Sequence, residues 1–177
     1  KATGSDYFGV TPDIITCAKG LTNATIPMGA TVVQDYIYES MLENADAPIE
    51  LFHGYTYSGH PVACAAALAT LDIYKEEGLF EHAGEQAPKI EKAAHSLKGT
   101  KHIVDIRNLG VIAALELEPR GNAVGARGFE VMKKSWDMGL MVRANGDTLA
   151  FSPPLIIQDS QIDEMFTTVK SALEQVD

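Results

Sequence analysis

Two short stretches near the start of the chain carry residues that can do chemistry. Lys19 follows an apolar run, residues 12–18, and precedes Gly20. A lysine attacks a carbonyl only when its amine is neutral, and the partly desolvated end of a buried strand favours that form. Residues 53–61, HGYTYSGHP, offer hydroxyls and glycines ahead of a predicted helix. Backbone amides at a helix N-terminus bind phosphate, so this loop predicts a phosphate site that uses Thr56 and Ser58.

Each of these features also has an ordinary structural explanation. Lys19 could be a solvated residue that ends a strand, and the loop could be a helix entry with a serine or threonine cap. Arg143, on a predicted hairpin, could bind a carboxylate through its planar guanidinium or could be a surface arginine. Arg107 could do the same work, but its strand position equally suits a structural ion pair.

Composition narrows the classes of function. The chain has 177 residues, of which 46% are hydrophobic, and 14 basic against 24 acidic residues give a net charge of −10. This charge argues against nucleic acid and anionic membrane surfaces as partners. No apolar run reaches the length of a transmembrane helix, and no secretory signal is expected. Cys17 and Cys64 make no disulfide framework, so a reduced, cytoplasmic protein is expected.

The remaining chemistry-bearing residue types indicate neither a metal site nor a serine hydrolase. The five histidines are scattered, with no zinc-like spacing to cysteines or carboxylates. Ser58 lies in a Tyr-Ser-Gly sequence rather than in a nucleophile elbow.

The apolar patterns predict an α/β chain in two parts. The first part, residues 1–84, has a short buried strand at 13–18, a second strand at 27–33, a helix at 35–43, a polar loop through 44–48 and an alanine-rich helix from Pro61 to Glu77. The second part, residues 85–177, reads as α+β. Its helices are predicted at 85–97, at 125–138 and from about residue 160, with Asp163 and Glu164 in the first turn of the last one. Its strands are predicted at 102–107 and 111–118, and a hairpin at 140–143 and 148–151.

These motifs, in this order, resemble the class III aminotransferases, pyridoxal 5'-phosphate (PLP) enzymes of the aspartate-aminotransferase fold. Residues 11–23, TPDIITCAKGLTN, are similar to the lysine motif of the family, and residues 53–66, HGYTYSGHPVACAA, to its phosphate-loop motif. Residues 105–110, DIRNLG, and 142–149, VRANGDTL, are most similar to the omega-amino-acid:pyruvate branch, which includes beta-alanine:pyruvate aminotransferase.

The resemblance implies roles for four residues. Lys19 would form the Schiff base with PLP and shuttle the proton, and Thr56 would bind the cofactor phosphate of the partner subunit. Tyr55 would line the same shared pocket, and Arg143 would pair with a substrate carboxylate. The expected reaction moves an amino group from an omega-amino acid or amine to pyruvate, in a homodimer or homotetramer with shared active sites.

The resemblance also implies that this chain is incomplete. Residues 1–84 would be the C-terminal part of the PLP-binding large domain, and 85–177 the small C-terminal α+β domain. In the family, an aspartate that pairs with the pyridine nitrogen comes from a segment that would precede Lys1, so the chain alone is expected to be inactive. Two alternatives stay open: another class III activity, on taurine, ornithine-type or semialdehyde substrates, or a non-catalytic fragment or dimerisation module of the same fold.

Overall fold

The chain forms two compact units in a computed structural model that describes residues 1–43, 45 and 51–177. The first unit is Lys1–Gly78 and the second is Leu79–Asp177. The sequence predicted the boundary at Gly84, which lies inside a helix, Leu79–His95. That helix begins earlier than predicted because Gly78, at φ 59°, ends the preceding turn and the apolar Leu79 and Phe80 already start the next helix.

In its described residues, the first unit contains a two-stranded antiparallel sheet and three helices. The strands pair from Ile14↔Val33 to Ala18↔Gly29. The predicted strands and helices of this unit are therefore confirmed, while the polar loop predicted through Asn44, Asp46 and Pro48 lies outside the described residues. In chain order the elements are α1 (Gly4–Phe8), β1 (Ile14–Ala18), a 3₁₀ turn (Lys19–Leu21), β2 (Gly29–Val33), α2 (Asp35–Glu43) and α3 (Pro61–Glu76).

The prediction that β1 is a buried strand was wrong for this chain. Its residues alternate between exposed and half-buried, because a two-stranded ribbon has no second layer among the described residues. The buried side chains of the unit are small, namely Thr22, Ala63, Ala67 and Thr70. Its large apolar side chains remain exposed: Tyr7, Phe8, Val10, Ile14, Val32, Tyr36, Tyr38, Leu42, Leu51, Phe52, Tyr55, Tyr57, Val62, Leu68, Leu71 and Ile73.

The second unit is a four-stranded antiparallel sheet with three helices. Its elements are α4 (Leu79–His95), β3 (Ile103–Leu109), β4 (Ile112–Leu117), α5 (Ala126–Asp137), β5 (Arg143–Asn145), β6 (Thr148–Phe151) and α6 (Asp159–Leu173). The strand order is β3-β4-β6-β5, and all neighbours are antiparallel. Helix α4 packs on β3, β4 and α6, whereas α5 packs on β5, β6 and α6.

Strand alternation sorts the side chains of this unit between a core and an open face. On β4, Ala113, Leu115 and Leu117 are buried, while the residues between them are half-buried or exposed. This period of two is what a sheet covered by helices on one side requires. The largest fully buried apolar side chains of the core are Ile90, Leu115, Leu117, Val131, Leu149, Ile162, Val169 and Leu173.

Several boundaries in the second unit differ from the sequence prediction; β3, for example, extends to Leu109 rather than to residue 107. Strand β5 begins at Arg143 rather than at residue 140, and the pairing Asn145↔Thr148 leaves a two-residue turn. Helix α6 begins at Asp159, one residue before the prediction, so Asp159 occupies the first turn and the pair at 163–164 the second. Gln158 sets this start, because it forms a capping box with Gln161.

Candidate active site

Lys19 lies at the junction between β1 and the 3₁₀ turn, in an unusual backbone conformation. Its φ is 52°, and Asn23 and Ala24 later in the same loop have φ values of 49° and 57°. Left-handed backbone is costly for residues other than glycine, so a loop with three such residues needs external support. The side chain of Lys19 is exposed in this chain. The desolvated place expected for its amine is therefore not built by the described residues alone.

The loop of Lys19 is held by its own hydrogen bonds and by helix α3. The buried Thr22 hydroxyl donates to the carbonyl of Ile26 at 2.7 Å, and the Thr25 hydroxyl donates to the carbonyl of Thr22 at 2.6 Å. From outside the loop, the hydroxyl of Tyr74 on α3 donates to the carbonyl of Gly20 at 2.7 Å. Tyr74 is 54 positions away in sequence, and residue-pattern reasoning did not find it.

The loop that precedes α3 is exposed and internally braced. Ser58 accepts a hydrogen bond from the amide of Tyr55 through its hydroxyl oxygen and donates its own amide to the carbonyl of Tyr55, both at 3.0 Å. The backbone turns through Gly59 at φ 69°. Tyr55 and Tyr57 are 80% and 79% exposed, so neither packs into the first unit. Ser58 thus braces the loop through both its hydroxyl oxygen and its amide, and its direct contact with a phosphate stays a prediction.

The N-terminus of α3 has free donors of the kind that bind an anion. His60 is the N-cap residue and makes no side-chain capping bond, so the ordinary serine or threonine cap is not present. Among the described residues, neither the hydroxyl of Thr56 nor the amides of Thr56, Tyr57 and Val62 have a hydrogen-bond partner. An exposed hydroxyl and unpaired amides at the positive end of a 16-residue helix form a donor set that suits a phosphate dianion.

The two parts of the candidate site lie at opposite ends of α3. The loop with Thr56 precedes Pro61, whereas Gly20 contacts Tyr74 near the other end of the helix. Thirteen residues of α-helix separate these contacts, which is roughly 20 Å at 1.5 Å per residue. The described residues of one chain therefore do not bring Lys19 and Thr56 together.

Arg143 lies in the second unit, on the open face of its sheet. It starts β5 and pairs with Ala150 on β6, which pairs with Ala114 on β4, which in turn pairs with Arg107 on β3. The two arginines thus lie at opposite ends of one row of paired residues that crosses the four strands. The two residues between them, Ala114 and Ala150, are small. Within the described part of the chain, Arg143 is exposed and forms no ion pair.

Arg107, the alternative carboxylate binder, is already paired. Its guanidinium donates to Glu116 at 2.6 Å and to Asp105 at 2.5 Å. Hydrogen bonds to Glu116 and Asp105 raise the pKa of Arg107 above its ordinary value. The structural ion pair considered for Arg107 is therefore what the fold contains, and Arg143 keeps its donors available.

The turn that follows Arg143 is clamped to α5 by a buried carboxylate. Asp147 is 8% exposed and accepts the amide of Gly125 at 2.6 Å and that of Gly128 at 3.0 Å. A Cβ on Gly128 would lie 2.3 Å from the carbonyl oxygen of Gly146, so the backbones meet where only glycine fits. The paired glycines 125 and 128 were the sequence signal for this clamp, and sequence reasoning missed it.

The described residues lack two further kinds of functional feature. None of their helices has both the length and the apolar composition of a membrane span. They hold no group of three or more histidine, cysteine, aspartate or glutamate residues placed to bind a metal ion.

Comparisons with known proteins place these features in a wider context. The model of the family described as "Aminotransferase class-III" matches residues 1–173. An omega-aminotransferase of Caulobacter vibrioides is 53% identical over 173 residues, which cover 98% of this chain and 39% of that protein. A beta-alanine–pyruvate aminotransferase of Pseudomonas aeruginosa is 43% identical over 176 residues, with the same two coverages.

A solved structure agrees in fold over the whole chain. It is an amine transaminase from an uncultivated Pseudomonas species in the PLP-bound form, with a TM-score of 0.91 and 32% identity. The similarity covers 100% of this chain and 41% of that one. The chain thus spans about two fifths of the length of the proteins that it matches.

Proposed function

Because this chain belongs to the class III aminotransferase family, whose members are PLP enzymes, we propose that its complete protein transfers an amino group from an omega-amino acid or amine to pyruvate. One observation supports pyruvate as the acceptor of the amino group. The beta-alanine–pyruvate aminotransferase named above is 43% identical over 98% of the chain. At that level the motifs around Lys19, Thr56 and Arg143 lie within one continuous match.

The residues present fit PLP as the cofactor. Its phosphate requires an anion site, and the open donors at the N-terminus of α3, with the hydroxyl of Thr56, supply one. Its aldehyde requires an amine, and Lys19 stands at the end of β1 with its side chain accessible. When bound, PLP supplies an electron sink that stabilises negative charge on the substrate carbon.

In this proposal the protein residues hold groups and move protons. Lys19 would hold the cofactor through its amine and would serve as the base that moves the proton of the substrate carbon. Tyr55, whose ring is exposed, lines the pocket beside Thr56. Arg143 grips the carboxylate of pyruvate, or of the donor when it has one, through its two parallel N–H groups. Its guanidinium, which forms no ion pair with any other described residue, supports this role.

We propose that the active sites are shared between subunits of a homodimer or homotetramer. The separation of roughly 20 Å along α3 supports this, because one subunit then cannot place Thr56 on the cofactor held by its own Lys19. The exposed loop, with Tyr55 and Tyr57 about four-fifths exposed, is suited to reach a neighbour. Thr56 would serve the phosphate of the partner's cofactor.

We further propose that the chain is the C-terminal portion of its enzyme, with the first unit, Lys1–Gly78, in the large PLP-binding domain and the second unit, Leu79–Asp177, as the small α+β domain. The many large apolar side chains exposed on the first unit support this, because a stable protein covers such surface with further structure. The chain alone is then inactive. A cytoplasmic location is part of the proposal and agrees with free Cys17 and Cys64.

The first experiment identifies the lysine. The complete protein is mixed with PLP, reduced with borohydride and digested, and the labelled peptide is mapped by mass spectrometry. We expect a single label on Lys19. Lys19→Ala should lower alanine formation from beta-alanine and pyruvate by more than about a thousandfold, whereas Lys98→Ala, at an exposed turn, should not. A label on other lysines, or an active Lys19→Ala enzyme, would refute the proposal.

The second experiment tests the shared site. Subunits that carry Lys19→Ala are mixed with subunits that carry Thr56→Ala, and activity is assayed at low PLP. If sites are shared, each mixed dimer contains one site with both native residues, so activity reappears with native cofactor affinity. If each subunit is self-contained, mixing restores nothing. Thr56→Ala alone should weaken PLP binding about tenfold or more, and Thr167→Ala on α6 should leave it unchanged.

The donor is tested on the complete protein by comparing beta-alanine with ornithine, with pyruvate as acceptor. Faster alanine formation from beta-alanine supports the proposal. Preference for ornithine would assign a different class III activity to the same site.

A further inference from the structure

The loop that presents Lys19 is strained, and its conformation must be imposed by contacts. Lys19, Asn23 and Ala24 all have positive φ values between 49° and 57°. At Lys19 and Ala24 this conformation costs roughly 1–2 kcal/mol relative to ordinary backbone, whereas asparagine adopts it more readily, so such a loop persists only when its surroundings determine it. The conformation at Lys19 matters most, because its φ sets the direction in which the side chain leaves the backbone.

Hydrogen bonds within the loop fix its far side more firmly than its near side. The carbonyl of Lys19 accepts the amides of Thr22 at 3.3 Å and Ala24 at 3.1 Å, and that of Gly20 accepts the amide of Asn23 at 3.3 Å. The two bonds at 3.3 Å are long for an N–H···O contact, whereas the bond at 3.1 Å is of ordinary length. On the far side of the loop, the hydroxyls of Thr25 and Thr22 make O–H···O bonds of ordinary length, at 2.6 and 2.7 Å.

The shortest contact to the Lys19–Gly20 end of the loop comes from α3. The hydroxyl of Tyr74 donates to the carbonyl of Gly20 at 2.7 Å, and the Cβ position of Gly20 lies 3.4 Å from the same hydroxyl oxygen. Tyr74 is half-buried and stands on the 16-residue helix α3, whose N-terminus carries the Thr56 loop. One rigid helix thus contacts both parts of the candidate site.

We propose that Tyr74 is a positioning residue that orients Lys19 through the Gly20 carbonyl. The proposal rests on the proposed function, since it takes Lys19 as the lysine that holds PLP. The hydroxyl of Tyr74 holds Lys19 in its left-handed conformation and fixes the position of the Lys19–Gly20 turn relative to α3. The side chain of Lys19 therefore has the required orientation before the cofactor binds. Without this orientation the amine would be misplaced and proton transfer would be slower.

The test compares two tyrosine-to-phenylalanine variants of the complete enzyme. Tyr74→Phe keeps the ring and removes the hydroxyl. Tyr36→Phe is the matched control, since the hydroxyl of Tyr36 donates to Asp13 at 3.0 Å, just before β1, and does not touch the turn of Lys19. Both variants lose one tyrosine hydrogen bond in the same unit, so a general effect on stability would appear in both.

We expect Tyr74→Phe to lower kcat about fivefold with the KM for pyruvate unchanged, which is the size of effect that one hydrogen bond produces. The pH midpoint of the visible absorbance of the bound cofactor should also move, because that midpoint reports the surroundings of the Lys19 nitrogen. Hydrogen exchange should speed up in residues 18–26. Tyr36→Phe should change none of these readouts.

The outcomes separate this inference from the function on which it rests. If borohydride labels Lys19 in both variants and Tyr74→Phe has the native kcat and pH midpoint, Tyr74 does not position the lysine. The inference is also overturned if kcat falls by the same factor in both variants and the melting temperatures of both fall as well, because the loss is then a general effect on stability. If the native enzyme is not labelled on Lys19 at all, the proposed function itself fails, and Tyr74 loses its assigned role with it.

Discussion

Replacing Gly128 by alanine should destabilise the second unit, because α5 and the turn of the β5–β6 hairpin approach each other there without room for a side chain. The new Cβ would lie 2.3 Å from the carbonyl oxygen of Gly146, 2.9 Å from the Cα of Asp147 and 3.2 Å from the carbonyl carbon of Gly146. All three atoms belong to the backbone, so no side chain can rotate away. The turn must move by about 1 Å to restore ordinary contact distances.

Three contributions set the size of the effect. Overpacking of this kind costs about 1–3 kcal/mol. The movement also breaks the hydrogen bond from the amide of Gly128 to the carboxylate of Asp147, 3.0 Å long and buried, which contributes about 1.5–3 kcal/mol. The higher helix propensity of alanine offsets about 1 kcal/mol of this loss in stability. The net loss in the free energy of unfolding is therefore about 1.5–5 kcal/mol.

Gly84→Ala is the matched control. Gly84 also lies inside a helix, α4, but its Cβ position has no atom within 4 Å. The substitution there gains helix propensity without a clash and should stabilise the unit by about 0.5–1 kcal/mol. The two changes are chemically identical and have opposite expected signs.

Urea unfolding of the 177-residue chain, followed by tryptophan fluorescence, measures both variants. Trp136 is the sole tryptophan and lies on α5, so its signal follows the second unit. In thermal unfolding, each kcal/mol should shift the midpoint by about 4–8 °C for a unit of this size. If Gly128→Ala were as stable as the native chain, or more stable, as is expected of Gly84→Ala, the result would refute the close contact between Gly128 and the backbone of Gly146.

Two further predictions concern the same unit. Leu115→Ala should lower its free energy of unfolding by about 2–5 kcal/mol because Leu115 is fully buried, whereas Ile112→Ala on the same strand, 53% exposed, should cost far less; equal losses in urea unfolding would contradict the assigned core. Burial lowers the pKa of His102 below its ordinary value, with the charges of Arg127 and Lys101 adding to the effect, while a hydrogen bond to the carbonyl of Val176 opposes it. The folded state thus disfavours protonated His102, so its contribution to stability is present above the unfolded pKa near 6.5 and is lost as pH falls towards the lowered folded pKa. His102→Asn, which tolerates the φ of 72°, should reduce the loss of stability between about pH 7 and 5 in urea titrations; an unchanged slope would assign the pH dependence to other groups.

Local sequence signals determined most elements of this protein. Alanine content and Pro61 at the first turn predict α3, and the alternation of β4 predicts a strand with one buried face. Such signals act between residues a few positions apart, so they are readable without the fold. The lysine and phosphate-loop motifs belong to the same category, because each is a short segment whose chemistry depends on neighbours in sequence.

The exact starts of α4 and β5 were not readable in this way. The first helix turn at Leu79 follows directly from the glycine that ends α3, and Gly84 is tolerated inside α4 because its surroundings are open. Strand β5 begins at Arg143 because pairing with Ala150 starts there, which is a property of the partner strand. Boundaries depend on which residues find partners, and partners are distant in sequence.

The sequence by itself determined which residues are able to act: an amine at Lys19, a hydroxyl at Thr56 and a guanidinium at either Arg107 or Arg143. The tertiary structure shows which of the two guanidiniums is occupied, because the fold places Glu116 beside Arg107 and leaves Arg143 unpaired among the described residues. It also added Tyr74, which reaches the turn of Lys19 from 54 positions away. The physical reason is the same in both cases: residue type sets the chemistry a side chain can perform, but its availability and orientation depend on neighbours that chain folding supplies.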